Sequence, residues 1–227
     1  MSAARDAVLG RVRQAIGRSP EQEAEAEAVT RERVAAPRPN LIPARGQLDR
    51  EGRVALFVTM ARAVTADVQR LETLGDVAVA VGSWLREHNL PQRVVMAPDP
   101  ALDGAGWERQ PLLRIRRGTA EPDDPTGVTL AFAGIAETGT LLLVSAAERP
   151  TLLAFMPENS VILVFARDID GAYEQSWQRL REALGELPRS VNLITGPSRT
   201  GDIAQNIELG AHGPRRLLVL VIDQDPS

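Results

Sequence analysis

The sequence predicts an α/β protein in which a mainly parallel or mixed β-sheet is covered by helices. The C-terminal half contains short apolar runs rich in Val, Leu and Ile, which are typical of strands buried on both faces. Segments with helical periodicity alternate with such runs along the chain. The 227 residues and 44% hydrophobic content are sufficient for one sizeable domain with a single core.

The composition argues against several classes of function. The formal net charge is −4, so the clustered positive charge of a nucleic-acid-binding protein is not expected. No apolar run approaches the roughly 20 residues of a membrane-spanning helix, and the amino end does not resemble a secretory signal. We therefore expect a cytoplasmic protein with no membrane insertion.

Two residue types are missing, and their absence narrows the chemistry further. The chain has no Cys, and all 26 of its Lys and Arg residues are Arg. Disulfides, thiolate nucleophiles and cysteine-ligated zinc or iron–sulfur sites are therefore excluded from the chain. A Schiff-base lysine and the lysine of a phosphate-binding P-loop are excluded in the same way. An anionic ligand would have to bind to Arg, backbone N–H groups or a helix N-terminus.

The first 43 residues differ in composition from the rest of the chain. Residues 4–17 place Val8, Val12 and Ile16 at helical spacing, which predicts a short amphipathic helix. Residues 19–43 are polar, with alternating Glu and Ala followed by three prolines. This pattern suits either an extended arm or a solvated helix that ends before the prolines. We expect an N-terminal helix and Pro-rich arm over 1–43 and an α/β domain over 44–227.

The α/β domain should begin with alternating helices and strands. Apolar spacing predicts helices over 51–61 and 74–89. Strands are predicted over 64–71 and 93–97, with a weaker strand signal over 112–115.

After Gly127 the strand signal becomes stronger. Five apolar runs predict strands over 128–133, 141–145, 161–166, 191–195 and 217–222. A helix is predicted over 172–187, because one stripe of large side chains recurs at four- and three-residue spacing and should face the core: Tyr173, Trp177, Leu180, Leu184 and Leu187. A further helix is predicted over Thr200–Leu209, with Gly210 ending it.

The first of two glycine-rich segments lies between two predicted strands. Glu137 has Gly134 and Gly139 on either side, and Thr138 and Thr140 supply hydroxyl groups beside it. Glycine allows either close approach of the backbone to a ligand or a positive φ, and threonine supplies hydrogen-bond donors. Glu137 could act as a general base, a nucleophile or a hydrogen-bond acceptor. The alternative is a tight turn with a solvated Glu.

The second glycine-rich segment follows a predicted strand and leads into the predicted helix over 200–209. Ser198 or Thr200 is suited to the helix N-cap, and Arg199 lies beside the exposed N–H groups, after Gly196. This arrangement predicts binding of a carboxylate or a phosphate. Asp202 would lie in the first helical turn, where it could contribute to the site or only stabilise the helix by interaction with its dipole.

The two histidines lie in different settings. His212 lies between two glycines near the last strand, where it could donate a proton to a ligand or hydrogen-bond a loop carbonyl. His88 ends a predicted helix, where a protonated ring suits the dipole, and no chemistry is assigned to it. With two His and no Cys, a transition-metal site is not expected, while a site made of oxygen ligands is left open.

Together, the segments GIAETGTLLL and TGPSRTGDIAQNIELGAHGP resemble the LUD domain, in its lactate utilisation protein C group. The resemblance covers roughly Leu41 to Ile222. It implies a three-layer α/β/α fold like that of the ribose-phosphate isomerase, glucosamine-phosphate deaminase and coenzyme A transferase superfamily. The family more often has Thr-Ala-Asp-Ile-Glu where residues 200–204 of this chain are Thr-Gly-Asp-Ile-Ala. The chain thus differs at Gly201 and Ala204, and no role of the missing Glu is carried over.

The resemblance also implies a function. It points to oxidation of L-lactate to pyruvate together with two iron–sulfur partner proteins, with the clusters on the partners and no cofactor in this chain. A small carboxylate or phosphorylated ligand is expected at the two loops, and a homo-oligomer is compatible with the sequence. The alternatives are a stand-alone isomerase- or transferase-type enzyme that uses Glu137, or a scaffold or regulatory subunit.

Overall fold

The computed structural model of the chain describes residues 3–37, 40–203, 206–210 and 212–224, and for residues 200–209 only the backbone. The chain divides into two compact units, residues 1–41 and 42–227. Arg38 and Pro39 of the predicted arm lie outside the described residues.

The N-terminal unit contains two helices, α1 (Ala3–Ile16) and α2 (Pro20–Ala35). Ser19 begins α2 with a capping box, in which its side chain accepts from the Gln22 N–H and the Gln22 side chain accepts from the Ser19 N–H. Pro20 occupies the first helical turn, where its missing N–H costs nothing. The Glu/Ala stretch is therefore helical, which is the second of the two interpretations of its sequence.

The second unit contains three longer helices and twelve strands within the described residues. The helices are α3 (Arg50–Ala63), α4 (Val77–Glu87) and α5 (Tyr173–Leu184). The first six strands are β1 (Asp67–Leu71), β2 (Arg93–Met96), β3 (Arg114–Arg117), β4 (Thr126–Leu130), β5 (Ala133–Ile135) and β6 (Thr140–Val144). The other six are β7 (Asn159–Phe165), β8 (Ile169–Asp170), β9 (Val191–Ile194), β10 (Arg199–Ile203), β11 (Asn206–Leu209) and β12 (Arg216–Ile222).

Six of the strands form a parallel sheet with the order β1-β12-β7-β4-β2-β3. The central strands β7 and β12 are buried on both faces. On β12, Leu218, Leu220 and Ile222 face one core cluster, while Val219 and Val221 belong to the other. This alternation explains why both strands appear in the sequence as continuous apolar runs.

Helices and a second sheet cover the two faces of the parallel sheet. Helix α4 packs on one face through Val81, Trp84 and Leu85. Helix α3 covers the other face through Val54 and Phe57, in the same cluster as side chains of β6. The predicted three-layer α/β class and the mainly parallel sheet are thereby confirmed.

The second sheet has four strands in the order β8-β5-β6-β9. Strand β6 is antiparallel to both β5 and β9, and β8 is parallel to β5. Leu141 and Leu143 of β6 face the parallel sheet, whereas Leu142 and Val144 face Leu180 of α5. No helix among the described residues is long and apolar enough to cross a bilayer.

Two of the sequence predictions need correction in this region. The predicted strand over 128–133 is two strands, because the chain leaves the parallel sheet after Leu130 and enters the second sheet at Ala133. Helix α5 ends at Leu184, since Gly185 adopts a φ of 68°. Leu184 and Leu187 are consequently 43% and 66% exposed and do not join the core as the apolar stripe predicted.

The predicted helix over Thr200–Leu209 is wrong. Residues 199–203 and 206–209 form an antiparallel hairpin, in which Arg199 pairs with Leu209 and Ile203 pairs with Asn206. Gly201 costs about 1 kcal/mol relative to Ala inside a helix, and Thr and Ile favour strands. A ten-residue helix is also too short to be stable without packing. Ala204, where the family pattern has Glu, lies outside the described residues.

Candidate functional site

The two glycine-rich segments lie side by side in the structure. Strand β6 follows the first segment and β9 precedes the second, and these strands pair antiparallel with Leu141 opposite Ile194. The pairing places Thr140 next to Thr195, whose hydroxyl oxygens are 2.7 Å apart. The two loops therefore form one continuous surface, although 55 residues separate the two threonines in sequence.

Both loops rest on the C-terminal end of α3 through a glycine. Gly139 has a φ of 65°, and a Cβ there would lie 2.2 Å from the Ala61 nitrogen. Gly196 has a φ of 75°, and a Cβ there would lie 2.5 Å from the Val64 oxygen. Only glycine combines this backbone conformation with such close approach. Gly139 thus serves backbone geometry, which is one of the two roles predicted for the glycines of the first loop, and Gly196 does the same in the second loop.

Glu137 is 6% exposed and lies at the N-terminus of α5. Its Oε1 accepts a hydrogen bond from the Tyr173 backbone N–H at 3.1 Å, and its own N–H donates to the Gly171 oxygen. A carboxylate here satisfies a free N–H group of the helix and interacts favourably with the helix dipole. The alternative of a solvated Glu is therefore wrong, since this side chain is buried and engaged.

Four hydroxyl groups join the two loops. Thr140 Oγ1 lies 2.7 Å from Thr138 Oγ1, 3.0 Å from Tyr173 Oη and 2.7 Å from Thr195 Oγ1. Thr138 Oγ1 also donates to Tyr173 Oη at 3.2 Å. Thr140 is fully buried, while Thr195 is exposed. The hydroxyl cluster of Thr138, Thr140, Tyr173 and Thr195 thus extends from the Glu137 loop to the surface.

A cleft of about 420 Å³ lies beside the second loop. It occurs at the amino ends of β7 and β12, where Ser160 and Leu217 contribute to its wall. Phe155 and Leu193 supply further apolar surface. The polar lining comes from Ser160 and from the residues around the second loop: Thr195, Ser198, Arg199 and His212.

Hydrogen bonds hold the second loop in place. The Ser198 N–H donates to the Pro214 oxygen, and the Ser198 oxygen accepts from the Gly210 N–H. Ser198 Oγ accepts from the His212 N–H at 3.4 Å. Arg199 donates from its guanidinium to Thr65 Oγ1, and Thr65 itself has a φ of 65°. An exposed cation is therefore positioned at the edge of the cleft by a residue outside the loop.

The structure separates the predicted site residues into three groups. Gly196, Ser198, Arg199 and His212 line the cleft. Glu137, Thr138, Gly139 and Thr140 form the adjacent loop, of which Thr140 contacts a cleft residue directly. Thr200 and Asp202 lie in β10, and their side chains are outside the described part of the molecule. Neither residue serves a helix N-terminus, because no helix begins there.

Sequence reasoning missed four residues of this region. Thr65 has no motif to mark it, Thr195 is the first residue of the second glycine-rich segment but is not predicted to bind a ligand, and Tyr173 is predicted only to face the core. Ser160 directly precedes the apolar run over 161–166 and is 1% exposed, and its Oγ has no hydrogen-bond partner in the described residues. Buried polar groups normally have a partner, so the unpartnered Ser160 Oγ is an exception among the buried side chains described in the cleft wall. No group of three or more His, Asp or Glu side chains in the described segments is arranged to hold a metal ion.

The sequence profile of the LUD domain matches residues 124–222, a range that includes both glycine-rich loops. A lactate utilization protein C from Halalkalibacterium halodurans is 31% identical over 159 residues, an alignment that covers 63% of this chain and 68% of that protein. An uncharacterized protein from Neisseria meningitidis is 36% identical over 99 residues, covering 44% of this chain and 42% of that protein. The chain thus spans less than half the length of some curated relatives that it matches.

The fold has a counterpart among solved structures. The crystal structure of a DUF162 family protein from Deinococcus radiodurans matches with a TM-score of 0.59. The match covers 77% of this chain and 99% of the other, at 19% sequence identity. At this level of identity the likeness concerns the fold alone.

Proposed function

Because the chain belongs to the LUD-domain family, in its lactate utilization protein C group, we propose that it is a component of an L-lactate utilisation system. The relative that carries this name is 31% identical over 159 residues, and the LUD-domain profile matches residues 124–222, which include both glycine-rich loops. In this proposal the chain acts in the oxidation of L-lactate to pyruvate together with iron–sulfur proteins. The electron-transfer groups belong to those partners, since a chain with no Cys has no thiolates to ligate a cluster.

The role of this chain is to bind a small anion, a carboxylate or a phosphorylated compound, in the cleft beside the second loop. Arg199 carries this part of the proposal, because its guanidinium is exposed at the cleft and held by Thr65. Arginine presents several N–H donors in a plane and pairs well with carboxylate and phosphate oxygens. The apolar wall at Phe155 and Leu217 would exclude water around the bound anion and strengthen this pairing.

The hydrogen bond of Glu137 favours a positioning role for this residue. A stand-alone isomerase or transferase would need the carboxylate free for proton transfer or attack. Its Oε1 accepts instead from the first N–H of α5, and the residue is almost completely buried. Glu137 thereby fixes the start of α5, and with it the Tyr173 hydroxyl that belongs to the cluster.

The proposal is tested by complementation of a deletion strain that grows on L-lactate as its carbon source. We expect Arg199→Ala to abolish growth on lactate while growth on glucose and the thermal unfolding midpoint of the purified protein stay unchanged. Arg189→Ala removes an exposed arginine that does not line the cleft and should grow normally. Full growth with a folded Arg199→Ala variant would contradict the assignment of the anion to this cleft.

A further inference from the structure

The hydroxyl cluster contains four protons and four close oxygen–oxygen contacts, which together fix the direction of every hydrogen bond. Each hydroxyl can donate one proton. Thr138 donates to Tyr173 Oη. The contact between Thr138 and Thr140 must therefore use the proton of Thr140. Tyr173 must then donate to Thr140, and Thr195 must do the same.

This assignment leaves Thr195 in a defined orientation. Its proton points inward to the buried Thr140 oxygen, so it presents only lone pairs to the cleft that it lines. Thr140 already accepts two hydrogen bonds and donates one, which uses its full capacity. Thr195 cannot turn its proton outward without leaving a contact of the cluster unmade. It is therefore preset as an acceptor toward any ligand.

Four residues after Thr195, the second loop supplies a hydrogen-bond donor to the same cleft. Arg199 is a pure donor and carries a positive charge, and both Arg199 and Thr195 line the same cleft. A ligand that satisfies both residues needs an anionic group and a hydrogen-bond donor close to it. A 2-hydroxy carboxylate has this combination. A 2-keto carboxylate of the same size does not, because its keto oxygen would face the lone pairs of Thr195.

We propose that Thr195 determines the specificity of the cleft for hydroxy-carboxylates over the corresponding keto acids. The inference rests on the proposed binding of an anion at Arg199 and adds which anion is selected. Thr140 acts as a positioning residue, since it receives the Thr195 proton without lining the cleft. In a lactate utilisation system this selectivity would retain the reduced compound and release the oxidised one.

The test is isothermal titration of the purified full-length protein with L-lactate, propionate and pyruvate. Propionate lacks the hydroxyl group, and pyruvate replaces it with a keto oxygen. A hydrogen bond made to a preset acceptor, or an acceptor left without a partner, changes affinity by roughly tenfold. We therefore expect L-lactate to bind about tenfold more tightly than propionate, and pyruvate to bind no better than propionate.

Four variants separate orientation from general structural damage. Thr195→Val should bring the three affinities to within about twofold of one another. Thr195→Ser keeps the hydroxyl group and should retain the preference for lactate. Thr140→Val should remove the preference for lactate over pyruvate, because the Thr195 proton is then free to turn toward the keto oxygen, while the preference for lactate over propionate remains. Thr59→Val is the matched control, since its hydroxyl donates to the Ala55 oxygen within α3 and takes no part in the cluster.

The outcomes are distinguishable. Equal binding of the three acids by the unmodified protein would overturn the specificity role of Thr195 and leave the anion site standing. Loss of the preference for lactate over pyruvate in Thr195→Val but not in Thr140→Val would overturn the orientation by the hydroxyl cluster. Absence of binding for all three acids would overturn the binding of a small carboxylate at Arg199, and the specificity inference with it.

Discussion

Substitution of Gly139 by Ala tests whether the first loop is pressed against α3 as the structure shows. The new Cβ would lie 2.2 Å from the Ala61 nitrogen and 2.6 Å from the Met60 carbonyl carbon. Packed heavy atoms lie about 3.5–4.0 Å apart, so the loop and the helix would have to separate by about 1 Å. Both contacts are to backbone atoms of a helix, which cannot be relieved by turning a side chain.

The expected loss has two parts. A positive φ at a residue with a Cβ costs about 1–2 kcal/mol. Overpacking of a buried position costs about 1–3 kcal/mol more. Gly185→Ala is a matched control, because Gly185 has a φ of 68° and no atom within 4 Å of its added Cβ. Both variants also share the stabilisation that comes from a stiffer unfolded chain. The difference of about 1–3 kcal/mol between them therefore reports mainly the packing.

Urea unfolding monitored by tryptophan fluorescence and far-UV circular dichroism measures both free energies, provided that the two signals change together. We expect Gly139→Ala to unfold at a clearly lower urea concentration than Gly185→Ala, with a similar slope. Equal midpoints for the two variants would refute the close approach of the loop to Ala61.

Two further predictions concern charged side chains. Glu137→Ala should lower the free energy of unfolding by about 1 kcal/mol, because it removes the hydrogen-bond acceptor at the α5 N-terminus. The free energy of unfolding of Glu137→Gln should stay within about 0.5 kcal/mol of that of the unmodified protein. A stable Glu137→Gln variant that fails to support growth on lactate would contradict the positioning role. Arg70→Gln should lower the thermal midpoint, with a smaller effect in high salt, because Arg70 bonds both Glu51 and Asp223. The hydrogen bond from Arg70 holds the pKa of Glu51 below its usual range, so this stabilisation is complete above about pH 4.3 and is lost as the pH falls through the lowered pKa of the folded state. Thermal unfolding between about pH 3 and 7 should therefore show a smaller loss on acidification for Arg70→Gln, and parallel curves would contradict the effect.

Most of the parallel sheet could be predicted from the sequence, because its strands are specified by local composition. Residues 161–165 of β7 and 217–222 of β12 alternate between two cores, so each of them is apolar and the strand signal is continuous. The second sheet could be predicted only in part, since β6 and β9 correspond to the strands predicted over 141–145 and 191–195. Its strands β5 and β8 have three and two residues, and such short strands depend on pairing with distant segments rather than on their own sequence.

The candidate site was located from its residue types but misjudged in its geometry. Arg199, Ser198 and His212 do line one cleft. The helix that was expected to supply N–H groups to an anion is a hairpin, and the helix N-terminus in the region belongs to α5, where Glu137 occupies it. The local pattern around Gly201 suits either a helix or a strand, and periodicity alone does not decide between them.

The sequence by itself determined the fold class and the chemistry that the chain lacks, because apolar runs and missing residue types are properties of composition. It also marked the two loops, since glycines, hydroxyl groups and charges cluster where the strand pattern breaks. Only the tertiary structure decided what each polar group faces. Glu137 contacts a residue 36 positions away, and Thr140 contacts one 55 positions away. Such contacts depend on which strands become neighbours, and hydrogen-bond direction follows only once all the partners are in place.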